Sequence, residues 1–246
     1  MLYPMFSLAY FLSESARLRP ERTAIIFGAD RISYSQLWSE AQAFAVVLHA
    51  AGIRPGDRVA LLMPNVPDFP RAYYAALTLG AVVVPVHGLL TAEEAAFVLR
   101  DSGASLLVAH PSLTAGAEAA RLAGVPVIHD VSAPAPETPI AIVPRETGDD
   151  AVILYTSGTT GKPKGAVLTH LNLAMNAAIS AQDLFAYTED DVLLCALPLF
   201  HSFGQTTIMN SGFRVGSAVV LMPRFDAVRS GFSVSRISDA STRSTA

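Results

Sequence analysis

Segments with apolar residues at helical spacing alternate along this chain with short apolar runs of strand length. Ser33-Tyr-Ser-Gln36 has the pattern of a capping box and predicts a helix to about residue 51, with Gly52 where a C-terminal cap glycine belongs. Residues 58–63 then read as a buried strand, 69–79 as a helix ending at Gly80, and 81–84 as the next strand. Thr91-Ala-Glu-Glu94 caps a helix through residue 100. A strand over 105–109, a helix over 115–123 and a short strand over 125–128 follow. Further on, 171–185 read as a helix with Asn172 and Asn176 on one face, 192–196 as a strand, 203–213 as helical and 217–222 as a strand. Repeated strand–helix alternation implies an α/β fold with largely parallel sheets flanked by helices.

Punctuation divides the chain. Residues 1–131 form a first α/β subdomain. Ser132-Ala-Pro-Ala-Pro-Glu-Thr-Pro139 opens a Pro-rich connector over 132–150. Residues 151–227 begin a second α/β subdomain. Residues 228–246 are serine-rich with scattered arginines and no apolar period, and are expected to be disordered.

Composition narrows the class. Half the 246 residues are apolar (51%) and only 15% are charged, which supports a sizeable core and argues against global disorder. A net charge of −4 supplies no electrostatic reason to expect a nucleic-acid partner. The single cysteine, Cys195, has no internal disulfide partner and fits a reducing, cytoplasmic location. No apolar run approaches the ~20 residues that span a bilayer. The mean hydropathy of +0.39 leaves peripheral membrane contact open. His49, His87, His110, His129 and His170 show no metal-ligand spacing.

The densest chemistry lies in Tyr155-Thr-Ser-Gly-Thr-Thr-Gly-Lys-Pro-Lys-Gly165, just after the apolar run Ala151-Val-Ile-Leu154. Glycines let a backbone come close to an anion, and successive exposed N–H groups form an anion-binding nest. Hydroxyls and lysines add donors and charge, so the composition suits a polyphosphate. The common nucleotide loop G-x-x-x-x-G-K-[ST] does not fit: Thr156 stands where its first glycine belongs, and Pro163 follows Lys162. Ala166-Val-Leu-Thr169 reads as a strand, so the loop is the tip of a hairpin rather than a strand-to-helix turn.

This segment closely resembles the phosphate-loop signature of the adenylate-forming (AMP-binding) superfamily, which includes acyl-CoA synthetases, luciferases and peptide-synthetase adenylation domains. Leu77-Thr-Leu-Gly-Ala-Val-Val-Val-Pro-Val86 with Leu90-Thr-Ala-Glu-Glu94 resembles an upstream motif of that family, and Leu197-Pro-Leu-Phe-His-Ser-Phe-Gly204 its downstream aromatic–histidine motif. The resemblance runs from near Phe6 to about Ala227 and favours a fatty acyl-CoA synthetase. His87-Gly88 departs from it, since Asn-Pro is usual there.

The resemblance implies an incomplete N-terminal domain of an adenylate-forming enzyme. It implies a carboxylic, in first place fatty, acid as substrate, with ATP and coenzyme A as co-substrates and Mg²⁺ as the family's ion. The acid would be joined to AMP, then passed to the thiol. Thr156, Ser157, Gly158, Thr159, Thr160, Gly161 and Lys164 would hold the β- and γ-phosphates, with Lys162 at a more variable position. His201 would lie near the carboxylate and α-phosphate, and Phe200 and Phe203 by the acyl chain. The aromatic-Gly-x-Thr-Glu segment that carries the family's Mg²⁺ ligand is not found, so no metal ligand is assigned. Nor are the later ribose-binding aspartate, the hinge and the lysine of the small C-terminal domain. A fragment, truncated or frame-shifted and weak or inactive alone, is the expectation. The alternatives are a non-catalytic nucleotide-binding module and a phosphotransferase.

Overall fold

The computed structural model describes residues 6–156 and 163–223. The expected tail at 228–246 lies outside the described residues, as do Ser157, Gly158, Thr159, Thr160, Gly161 and Lys162.

Three elements precede the first predicted helix: α1 (Ala9–Leu18), β1 (Thr23–Phe27) and β2 (Asp30–Ser33). Helix α2 (Tyr34–Ala50) starts where the pattern placed it, with the Ser33 hydroxyl accepting from Gln36 N–H. Its box is half formed, because the Gln36 amide turns to Glu40 instead (2.9 Å). Then come β3 (Arg58–Leu62), α3 (Asp68–Thr78), β4 (Val82–Pro85), α4 (Ala92–Asp101), β5 (Leu106–Ala109), α5 (Ala115–Ala123) and β6 (Val127–Ile128). Both halves of the Thr91–Glu94 capping box are made at the start of α4.

The second part contains β7 (Asp150–Thr156), β8 (Lys164–Thr169), α6 (His170–Ile179), β9 (Val192–Cys195), α7 (Ser211–Val215) and β10 (Ala218–Leu221). Both stretches expected to be helical, 171–185 and 203–213, are so, with π-helical turns within them. The one over 171–185 gives way after Ile179 to a π-helical turn, Ser180–Leu184, and Phe203–Asn210 is π-helical before α7. In the second case the Ser211 hydroxyl donates to the Thr206 carbonyl (2.8 Å) and to Ala177 of α6 (3.2 Å), which joins the widened turn to its neighbour.

The strands form two sheets. One has the order β6-β5-β3-β4-β7-β8, all parallel except β8; the other is β2-β1-β10-β9, with only β2 antiparallel. Alternation along β3 divides its residues between two cores. Val59 and Leu61 join the large core shared by α1, α2, α3 and the second sheet, whereas Ala60 and Leu62 pack with α4 and α5. The two sheets thus enclose one helical layer, and a second helical layer covers the outer face of the larger sheet.

Strand pairing crosses the boundary drawn at the Pro-rich connector. β7 and β8 extend the larger sheet through Val83↔Val152, while β1 pairs with β10 through Ile25↔Val219. The connector runs along the helices instead of separating two units: Ile140 N–H donates to Gln42 (2.7 Å), and Val143 N–H to the Thr78 carbonyl (2.8 Å). Its apolar residues Ile140 and Ile142 pack against the large core, which is why it follows α2 and α3.

Candidate nucleotide and acid site

The hairpin predicted around residue 160 has its two strands in register. Leu154 faces Ala166, Tyr155 faces Gly165, and Thr156 faces Lys164 at the end of the described ladder. By alternation, Leu154, Thr156, Lys164, Ala166 and Leu168 belong to one face and Ile153, Tyr155, Gly165 and Val167 to the other. Tyr155 anchors that second face by donating its hydroxyl to Asp101 at the end of α4 (2.6 Å). Burial first, and then the Asp101 carboxylate, raises the Tyr155 pKa, so the phenol keeps its proton. A side chain at Gly165 would come within 2.9 Å of Ile153 and 3.1 Å of the Tyr155 ring, so glycine lets the ring lie across the strand.

The first face of the hairpin borders an open cleft of about 530 Å³. Leu154, Thr156, Ala166 and Leu168 form one wall; Asn172, Leu173 and Asn176 of α6 form the next, and Ser202, Phe203, Thr206 and Thr207 close it. Thr169 and Asn172 cap α6 reciprocally at 3.1 Å each, which fixes the helix at the foot of the hairpin. The Asn172 carboxamide therefore serves the cap through its oxygen while standing at the cleft.

The loop after β9 brings the aromatic–histidine motif to the same end of the molecule. His201 N–H donates to Pro198 carbonyl and Gln205 N–H to His201 carbonyl, both at 3.0 Å. The exposed His201 ring lies 4.5 Å from the Phe200 ring and 6.0 Å, edge-on, from His87. His87, just after β4, packs on Phe200 at 4.1 Å. Burial, with His201 next, holds the His87 imidazole below its ordinary pKa. A side chain at Gly204 would meet the carbonyl oxygens of Pro198 at 2.7 Å and Leu197 at 2.8 Å, so the motif's last residue has to be glycine for this turn to close.

Among the predicted site residues, Thr156 lines the cleft, Lys164 stands opposite it in the ladder, and His201 precedes the cleft-lining Ser202 and Phe203. Phe203 is about half exposed at the cleft, not core, while Phe200 packs on His87. Sequence reasoning missed His87 as a neighbour of His201: it stood out only as a departure from the family's Asn-Pro and as a histidine without metal-ligand spacing. It also missed Thr206, a cleft-lining residue whose hydroxyl is buried with no hydrogen-bond partner, and Gln205, whose side-chain oxygen is similarly buried and unpartnered. A pair of polar residues inside an otherwise helical run was the available signal.

Parallel sheets with helices packed on them, and a hydroxyl- and lysine-bearing hairpin closing the edge of one, define an α/β domain of the adenylate-forming type. Comparison with known proteins agrees. The chain belongs to the AMP-binding enzyme family, whose model matches residues 12–239 and so runs past the Ala227 limit read from the motifs. It is 36% identical over 218 residues to a feruloyl-CoA synthase from Amycolatopsis, covering 86% of this chain and 43% of that protein. It is also 36% identical over 237 residues to a long-chain-fatty-acid–CoA ligase from Mycobacterium tuberculosis, covering 92% and 47%. The chain spans a little under half the length of these curated relatives. The O-succinylbenzoate coenzyme A synthetase of Bacillus subtilis, solved in complex with AMP, superposes with a TM-score of 0.82 at 32% identity, over 92% of this chain and 46% of that one.

Proposed function

We propose that this chain carries the phosphate-gripping and acid-facing part of an AMP-forming acid–coenzyme A ligase. The observation that carries this reading is the Thr156–Lys164 pair at the end of the ladder, beside a cleft that is also lined by Ser202 and Phe203, which follow His201 in the sequence.

In such a ligase a carboxylate oxygen attacks the α-phosphorus of ATP and pyrophosphate leaves. The sulfur of coenzyme A then attacks the acyl carbon and AMP leaves. No protein nucleophile is required, so the protein's task is alignment of two anions and neutralisation of the departing charge. Thr156, Ser157, Gly158, Thr159, Thr160, Gly161 and Lys164 hold the β- and γ-phosphates, with Lys162 in a lesser part. His201 donates to an oxygen near the reacting carboxylate. The acid has an apolar body, fatty or aryl, which Leu154, Leu168, Leu173 and Phe203 suit.

The segment that carries the family's Mg²⁺ ligand is not found in this sequence, so no residue here is assigned to the ion. No described helix is long and apolar enough to cross a membrane. The buried single Cys195 fits a cytoplasmic location.

ATP binding by calorimetry, with Lys164→Ala alongside, tests the nucleotide half. A charge-assisted contact to phosphate is worth about 1.5–3 kcal/mol, so affinity should fall about tenfold or more. Equal affinity in the variant would end the assignment. Carboxylate-dependent ATP–pyrophosphate exchange tests the chemistry and is expected to be slow or absent in this chain alone. Tight ATP binding with no exchange even when the remainder of a family ligase is supplied would favour a non-catalytic module.

A further inference from the structure

Asn65 lies in the turn between β3 and α3, on the larger sheet, and is only 4% exposed. Its side chain reaches the loop that leaves β9 on the other sheet. Nδ2 donates to the carbonyls of Leu197 (2.9 Å) and Cys195 (3.2 Å), while Oδ1 accepts from Leu199 N–H (2.8 Å). One carboxamide thus satisfies three backbone groups of the segment that ends at His201. Pro198, in the middle of that segment, has no N–H of its own to contribute. A carboxamide is the neutral side-chain group that presents donors and an acceptor at a single tip, and asparagine does so with the shorter stem.

From these contacts we infer that Asn65 is a positioning residue for the His201 loop, setting the imidazole against His87 and beside the acid-facing cleft. The inference rests on the proposed role of His201. The geometry explains how it acts. Asn65 and His87 both follow strands of the larger sheet, after β3 and β4, whereas His201 follows a strand of the smaller one. Without a bridge, the two sheets could fix these rings relative to one another only through packing. Leu199, 1% exposed, is the last core-buried residue before the chain emerges, and its N–H is the one that Asn65 takes. The Leu199 carbonyl is held separately by the Gln205 amide (3.3 Å). Removing Asn65 therefore frees one side of the turn and leaves the other tethered, which rotates the segment bearing Phe200 and His201 rather than unfolding it.

Hydrogen exchange and imidazole NMR on the whole chain, without substrates, test this independently of catalysis. In Asn65→Ala the Leu199 amide should exchange about tenfold faster or more, from a lost hydrogen bond of about 1.4 kcal/mol. Core amides of Leu61 and Val108 should keep their protection, and the His87–His201 ring contact should disappear. Asn65→Asp keeps an acceptor for Leu199 and loses both amide donations. It should preserve Leu199 protection and still shift the His201 ring resonances. Unchanged Leu199 exchange in Asn65→Ala, a persisting His87–His201 contact, or uniform acceleration of all amides would overturn the inference. So would unshifted His201 resonances in Asn65→Asp. If Asn65→Ala does not fold, exchange of Leu199 at the open-chain rate in the unaltered protein is the overturning result. None of these outcomes bears on ATP binding, so failure here and failure of the ligase reading are separable.

Discussion

Replacing Gly204 with alanine adds one carbon at a point where the backbone leaves no room. That carbon would stand 2.7 Å from the Pro198 carbonyl oxygen, 2.8 Å from that of Leu197 and 3.1 Å from the Pro198 carbonyl carbon. Carbon–oxygen contacts ordinarily sit at about 3.3–3.6 Å, so the shortfall is about 0.6 Å against two atoms at once. Both atoms are backbone, so no side chain can swing aside. The strain must move either the π-helical segment or the turn bearing Phe200 and His201, whose Leu197 carbonyl and Leu199 N–H are already tied to Asn65. Overpacking of this kind costs about 1–3 kcal/mol. At about 2–4 °C per kcal/mol for a chain of this size, a mid-range cost of about 2 kcal/mol predicts a Tm lower by about 4–8 °C. Gly148→Ala is the control: it meets nothing within 4 Å and its backbone is outside the left-handed region. It should be neutral or stabilising by up to about 1 kcal/mol, through the unfolded chain. Scanning calorimetry or urea unfolding of both variants decides the matter. A Gly204→Ala protein melting within about 1 °C of the parent would refute the steric argument.

Three further expectations follow from buried and exposed groups. His170 is fully buried, its Nδ1 accepts from Leu8 N–H (3.2 Å), and burial, reinforced by the Arg145 charge, lowers its pKa to about 4. Its folded pKa lies below the unfolded value of about 6.5, so the unfolded state takes the proton first. Stability from this group is complete above about pH 6.5 and should fall by up to ~1.4 kcal/mol per pH unit as the pH drops toward 4. Urea midpoints across that window should show a shallower slope in His170→Asn, and an identical slope would contradict the assignment. Burial pushes the Cys195 thiol up to about 12, so a thiol reagent at neutral pH should label it only as the protein unfolds. Labelling of the native protein at a free-cysteine rate would show the thiol to be accessible. Leu171, Met175 and Ile179 recur every four residues on α6 and are 46%, 51% and 43% exposed, an apolar stripe on the outside of the helix. Met175→Lys should therefore change stability by no more than about 0.5 kcal/mol in urea unfolding; a loss well above 1 kcal/mol would show the side chain to be packed.

Much of this architecture is written locally. The helix over 115–123 was bounded to the residue because Ala115–Ala123 has a clear helical period and Gly124 follows in the left-handed conformation. The Thr91–Glu94 box marks its helix through bonds made within four residues. The pairing of β7 with β8 was legible because an apolar strand, a glycine-rich stretch and a second strand are contiguous in the sequence. The hydroxyls and lysines proposed to bind the nucleotide were visible for the same reason.

What depended on distant partners was not visible. Ala24-Ile-Ile-Phe27 was not read as a strand, and it becomes one by pairing with Val219 and Val220 from the far end of the chain. The connector between the expected subdomains reads as a spacer by composition, yet its isoleucines pack on α2 and α3. Nothing in the sequence singled out Asn65, and His87 stood out only as a departure from the family's Asn-Pro. Their neighbours Leu199 and His201 come from the other sheet. Local periodicity and capping act over a few residues, so the order of amino acids encodes them directly. Register between strands and the meeting of loops from two sheets are set by which apolar faces bury together, and only the packed chain resolves that.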